Sequence, residues 1–249
     1  MKPMFGYQLY SSRNFPPLAD TLAMLAKAGY TSVEGFGGLY DDAAGLAAAL
    51  KVNHLKMPTG HFGLHMLEHE VSHALTVATT LGMERIYCPH LPHDEHPGDA
   101  AGWRAFGARL DRIGQPYRDA GFGFGWHNHD FEFVALPDGT IPQDAMFEGG
   151  PGLEWEMDVA WVIRGGADPL KWIRKHGARI TSAHVKDIAP AGQNKDEDGW
   201  CDVGHGTVDW KGLMAALRAA GCKHFVMEHD NPADHHRFAT RSLASAKTY

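Results

Sequence analysis

The feature that most constrains this chain is a regular alternation. Short apolar or aromatic runs recur, and longer amphipathic segments separate nearly all of them. Strand-like runs occupy residues 4–9, 31–36, 54–57, 85–88, 122–127, 153–158, 180–185 and 225–228. Helical patterns fall at 16–27, 67–81, 100–120, 169–175, 210–220 and 234–247, and Asp41 or Asp42 caps a further one running through Leu50. Gly29, Gly82, Gly121, Gly177 and Gly221 each stand just past a helical pattern, where a helix end turns left-handed. Pro16 stands in a first turn, where its missing N–H costs nothing.

A strand followed by a helix and another strand makes a crossover, so the strands pair in parallel. Eight such units in 249 residues predict one closed (β/α)8 TIM barrel, a single α/β domain over residues 1–249. An open doubly wound sheet is the competing topology. It usually carries a glycine-rich phosphate turn after its first strand. Tyr10-Ser11-Ser12-Arg13 stands there instead. The Gly- and Pro-rich stretch 129–153 reads as loop with at most a short helix. The polar stretch 190–198 reads as a long, mobile loop over the seventh strand.

Composition narrows the partners. The net charge of -7 comes with no cluster of Lys and Arg, so no nucleic-acid partner is expected. No run reaches the 18 or so apolar residues of a membrane span, and residues 1–10 hold no signal-peptide core. Cys88, Cys201 and Cys222 are odd in number and far apart, as in a reduced cytoplasmic protein. The 17 histidines are unusual, and imidazole is both a common metal ligand and a proton carrier.

In a barrel of this kind the C-terminal strand ends face the active site. The second strand ends near Glu34, the fifth in His127-Asn128-His129-Asp130-Phe131-Glu132, and the sixth in Glu154-Trp155-Glu156-Met157-Asp158. The seventh ends in His184-Val185-Lys186-Asp187, and the eighth in Met227-Glu228-His229-Asp230. Bare carboxylates gathered this closely repel one another, and a divalent cation resolves the conflict. Mixed oxygen and imidazole donors suit Mn, Co, Mg, Fe or Zn. Each residue also has a plainer reading. Asp158 fits a helix N-cap, His184 to Asp187 fits a surface turn, and Gly204 and Gly206 fit a turn better than an anion site.

The stretches WHNHDFEF (126–133), EMDVAWVIRGGADP (156–169), HVKD (184–187), VGHGTVDW (203–210) and VMEHD (226–230) resemble the sugar phosphate isomerase/epimerase group, the xylose-isomerase-like barrels. The resemblance covers essentially the whole chain. It implies one divalent metal ion held by Asp158, His184 and Glu228 plus a fourth ligand. Relatives often place a Glu where this chain reads His127-Asn128-His129. Glu132, just beyond, is taken as the fourth ligand, with His127 or His129 as alternatives. The resemblance also implies a homodimer or homotetramer.

The expected reaction is isomerisation or epimerisation of a keto sugar or sugar derivative through an enediolate. Glu132 and Glu228 would carry protons, and His127 and Lys186 would assist. His129, Glu34, Trp126 and His61 would bind the substrate, and Trp155 or Phe36 could stack on it. Relatives also include dehydratases and lyases that act on keto sugars or cyclitols, and endonuclease IV repair enzymes. A dehydratase or lyase is therefore the alternative. A repair endonuclease conflicts with the negative net charge, and a non-catalytic sugar-binding barrel would lack metal.

Overall fold

The computed structural model describes residues 4–249. Eight parallel strands form one sheet: β1 (Met4–Tyr7), β2 (Ser32–Gly35), β3 (Lys56–His61), β4 (Arg85–Cys88), β5 (Gly123–His127), β6 (Glu154–Asp158), β7 (Ile180–Val185) and β8 (His224–Met227). Their order is β1-β8-β7-β6-β5-β4-β3-β2. The two end strands meet at a parallel bridge between Gln8 and Glu34, which brings the sheet to a nearly closed barrel. The expected fold is therefore the observed one.

Helices cover the outside: α1 (Leu18–Ala28), α2 (Ala43–Val52), α3 (Leu64–His69), α4 (Val71–Leu81), α5 (Ala100–Asp119), α6 (Pro142–Gly149), α7 (Val159–Arg164), α8 (Pro169–His176), α9 (Trp210–Ala220) and α10 (His235–Ala246). Aspartates 42, 99, 158, 168, 209 and 234 cap six of them by accepting early backbone N–H groups. Gly29, Gly82 and Gly221 close α1, α4 and α9 with positive φ. Outward side chains of the strands pack beneath this layer. Trp155 on β6, for example, meets Phe147 and Trp172 edge-on.

Three elements differ from expectation. The third strand runs over 56–61 rather than 54–57, because His54 is left-handed (φ 54) and the register between β2 and β3 shifts around Pro58. Proline lacks a ladder donor, and the shift absorbs it. The helix expected over 67–81 begins earlier and breaks at Glu70 into α3 and α4. The loop over 190–198 is tied down rather than free. Two short antiparallel strands, Asp187–Ile188 and Trp200–Cys201, frame it, and Asn194 donates to Trp200 O.

No helix among the described residues is long and apolar enough to cross a membrane. The three cysteines are buried and unpaired.

Candidate metal centre

Strand side chains alternate, so residues two apart on a barrel strand share the interior. Glu156 and Asp158 on β6 obey this spacing, as do Ser182 and His184 on β7, with Lys186 continuing the pattern past the strand end. Register places Asp158 beside His184 and Glu156 beside Ser182. Contacts then cross the barrel. His61 Nε2 at the end of β3 lies 2.5 Å from Glu156 Oε2, and His184 Nε2 lies 2.6 Å from Glu34 Oε1 on β2. His184 Nδ1 faces the other way, 2.9 Å from Glu228 Oε2 and 3.9 Å from Asp158 Oδ2. Each of these side chains is at most 9% exposed.

Two groups have donor atoms close enough to share an ion, all within 4.8 Å of one another. One is His127, Asp158, His184 and Glu228; the other is His61, His127, Glu156 and His184. Several buried atoms here have no hydrogen-bond partner: Glu34 Oε2, His127 Nδ1 and Asp158 Oδ2. Unpartnered buried carboxylate and imidazole atoms that converge are what a bound cation would satisfy. The residues present therefore fit a divalent ion.

Charge is arranged to match. Burial alone would raise the Glu156 and Glu228 carboxyls, but facing imidazoles, and Lys186 beside Glu228, hold both well below the usual range. Burial opposes charge on His184, yet Glu228, Glu156 and Glu34 keep it protonated well above its ordinary value. His127 is pushed down to about 3 by burial and by His184, so it is a neutral imidazole. Burial also pushes the Asp158 carboxyl up, to about 6, against the pull of Lys186.

The trio Asp158, His184 and Glu228 comes together as expected, and His127 joins it. Glu132 does not. Its carboxylate is fully buried and accepts Trp126 Nε1–H and the His129 backbone N–H, both at 2.9 Å. It braces the turn after β5 instead of facing the ions' seats, and burial pushes its carboxyl up to about 8. Asp158 is both cap and cluster member, because its Oδ1 accepts Trp161 N–H while Oδ2 faces the interior.

A cavity of about 510 Å³ opens over the cluster. Tyr10 and Phe36 form an aromatic wall, with rings edge-on at 5.3 Å. His61, His127, His129, Glu228 and Asp230 supply its polar surface. Of the expected substrate-binding residues, His61 and His129 line this space. Trp126 does not; it is fully buried on the outer face of β5 against Phe106. Glu34 does not either, because its carboxylate accepts from Gln8 Nε2 and meets His184 Nε2. Lys186 lies below the cavity, fully buried, its Nζ 2.9 Å from both Glu228 and Asp230 and 3.3 Å from Asp158.

Sequence reasoning passed over Glu156 and Asp230 as site residues, although the two-residue spacing before Asp158 and after Glu228 pointed to both. The Gly204–Gly206 turn is filled from within. Asp187 accepts the N–H groups of Gly204, Gly206 and Val208, so no exogenous anion is needed there.

No protein-family model matches the chain. The chain is 23% identical to the rhizopine catabolism protein MocC of Rhizobium meliloti, over 69% of its own length and 58% of that protein's. It thus spans less than two thirds of that curated relative. Among solved structures, a sugar phosphate isomerase/epimerase from Parabacteroides distasonis superposes with TM-score 0.83 at 20% identity, covering 99% of this chain and 94% of that one. The IOLI protein, solved with a zinc atom, superposes with TM-score 0.72 at 16% identity, covering 98% and 95%. The chain has the fold of the sugar phosphate isomerase/epimerase group, the xylose-isomerase-like TIM barrels.

Proposed function

We propose that the protein is a divalent-metal-dependent isomerase or epimerase that moves a proton next to the carbonyl of a keto sugar or sugar derivative. One observation carries this reading: buried imidazoles and carboxylates with unpartnered atoms converge beside a largely apolar cavity that has an aromatic wall and a few histidine and carboxylate groups. His127 and His184, common to both ligand groups, would hold the ion together with neighbouring carboxylates. When bound, it would supply Lewis-acid polarisation of adjacent carbonyl and hydroxyl oxygens.

The chain's own groups divide the proton work. Two titrating groups pushed in opposite directions mark a base and an acid. Glu228 is held ionised despite burial by Lys186 and His184, and it lines the cavity. It is the base. Asp230, also on the cavity wall, is pushed up by burial and by Glu228, against Lys186. It carries the proton that is returned. Lys186 touches both carboxylates from behind and keeps them in place. His129, kept neutral chiefly by burial, holds substrate hydroxyls. Tyr10 and Phe36 present ring faces and edges to the apolar side of a sugar.

The same acid aimed at a β-hydroxyl would give elimination instead, which is the second reading. The placement of Asp230 at the cavity edge serves either outcome. Proton exchange at the α-carbon, followed by product analysis across a panel of keto sugars, separates them. An epimer or aldose supports isomerisation, and an enone supports a dehydratase. Glu228→Gln should slow exchange by about 100-fold or more. Unchanged exchange in that variant, or no divalent ion bound by the wild-type protein, would sink the proposal.

A further inference from the structure

The cavity presents no lysine or arginine to a ligand. Among the described residues that line it, the acidic and basic side chains are His61, His90, His127, His129, Glu228 and Asp230. Burial, helped by His96, pushes His90 below its ordinary value, so it meets a ligand as a neutral ring. The basic side chains behind and beside the cavity are engaged elsewhere. Lys186 is fully buried among Asp158, Glu228 and Asp230. Arg13 donates to the Tyr10 and Asp230 carbonyls at 3.0 and 2.5 Å and lies 3.9 Å from the Tyr10 ring centre. Arg164 donates to Asp198 O at 2.7 Å and covers Trp200, 3.1 Å from its ring centre.

Barrels of this architecture that bind a phosphate ester commonly hold it on backbone N–H groups of the loops after the seventh and eighth strands and at a helix N-terminus. This chain has such N–H groups and gives them to its own carboxylates. After β7, the fully buried Asp187 accepts from Gly204 at 2.8, Gly206 at 3.3 and Val208 at 3.1 Å. After β8, Asp234 accepts the Arg237 N–H at the start of α10, at 2.9 Å. The arginines of that region are paired as well: Arg237 with Glu197 and Asp202, and Arg241 with Asp202. A negative ester brought to either place meets a carboxylate already seated there.

The rest of the cavity suits a neutral ligand. Its surface is largely apolar, and Tyr10 and Phe36 form one wall. Aromatic rings pack against the C–H face of a sugar, and imidazole nitrogens exchange hydrogen bonds with hydroxyls without a charge on the partner. A divalent ion in the neighbouring cluster would be offset by the carboxylates around it and engaged by the reacting oxygens. It offers nothing to a charged group elsewhere on the substrate.

We infer that the substrate is uncharged: an unphosphorylated keto sugar or cyclic polyhydroxy ketone, with phosphate esters and sugar acids excluded. This rests on the isomerase reading above, because it assigns the substrate class of that same cavity.

The test follows α-proton exchange by metal-loaded full-length protein in deuterated water. Matched sets are compared: a neutral ketose, its terminal phosphate ester, the keto acid oxidised at the same carbon, and the acetate ester there. The neutral ketose should exceed the phosphate and the acid by about 100-fold or more in kcat/KM, since placing like charges together without a partner costs on that order. The acetate, bulky but uncharged, should fall much less. Comparable or higher kcat/KM for the phosphate or the acid would overturn the inference and leave the isomerase reading intact. An acetate excluded as strongly as the phosphate would assign the discrimination to size, and would overturn it as well. No exchange with any of the ketones tested would overturn both readings.

Discussion

At the scale of single residues, two carboxylates show how burial and partners separate similar side chains. Glu132 and Glu156 are both fully buried, and both lie in runs rich in acidic and aromatic residues. Glu132 spends both oxygens on local N–H donors, Trp126 Nε1 and His129 N, whereas Glu156 points across the barrel at His61. Removing Glu132 therefore strands two buried donors and touches no ion. Glu132→Ala should cost about 2–6 kcal/mol in urea unfolding, on the order of 1–3 for each of the two donors left unsatisfied. Zinc stoichiometry in the folded protein should not change; a variant that folds but no longer holds zinc would restore Glu132 as a ligand. The sequence showed the strand-end carboxylates as a class. It did not show which turn back on their own backbone, because that depends on the loop's path after His127.

At the scale of elements, the stretch after β5 is the most instructive. Its Gly and Pro content reads as loop with at most a short helix, and the short helix is α6, which packs tightly on α5. A Cβ at Gly107 would collide with the Met146 carbonyl, and one at Gly149 with the Arg104 carbonyl. These glycines let two backbones touch; they do not mark flexibility. Gly107→Ala should destabilise by about 1–3 kcal/mol, the usual range for overpacking, read as a lower urea midpoint. The loop after β7 is anchored in another way. Glu197 accepts the Ala233 N–H and pairs with Arg237 at 2.6 Å. Burial would raise this carboxyl, but the Ala233 and Arg237 contacts hold it below its ordinary value. Its stabilisation is therefore present above the unfolded value of 4.5 and lost as pH falls through the lower folded one. Protection of the Ala233 amide against hydrogen exchange should drop across that window, and Glu197→Gln should abolish the pH dependence. A flat profile in the wild type would show that the loop is held by other contacts.

At the scale of the molecule, barrel closure and the proposed ion binding would be linked. Gln8 and Glu34 join β1 to β2, and Glu34 also meets His184 on β7. An ion held by either ligand group would tie β5, β6 and β7 together, through His127 and His184 with Glu156 or Asp158. Zinc at about 100 times its dissociation constant should stabilise the fold by about 2.7 kcal/mol, because it binds only the native arrangement. Thermal unfolding with zinc and after chelation measures this directly, and equal midpoints in the two conditions would rule out a bound ion.

Local chemistry, legible in the chain, determined the alternation of strands and helices, the aspartate caps, the glycine stops and the concentration of acids and imidazoles at strand ends. Each depends on residues within a few positions of one another. Tertiary structure decided what those groups meet. Only closure of the barrel sets His61 against Glu156 across 95 positions, and Glu34 against His184 across 150. Closure also brings the Lys186 ammonium against Asp158 and Glu228, two of the ligands the sequence suggested. Ion seats depend on distances between side chains that alternation along a strand cannot supply.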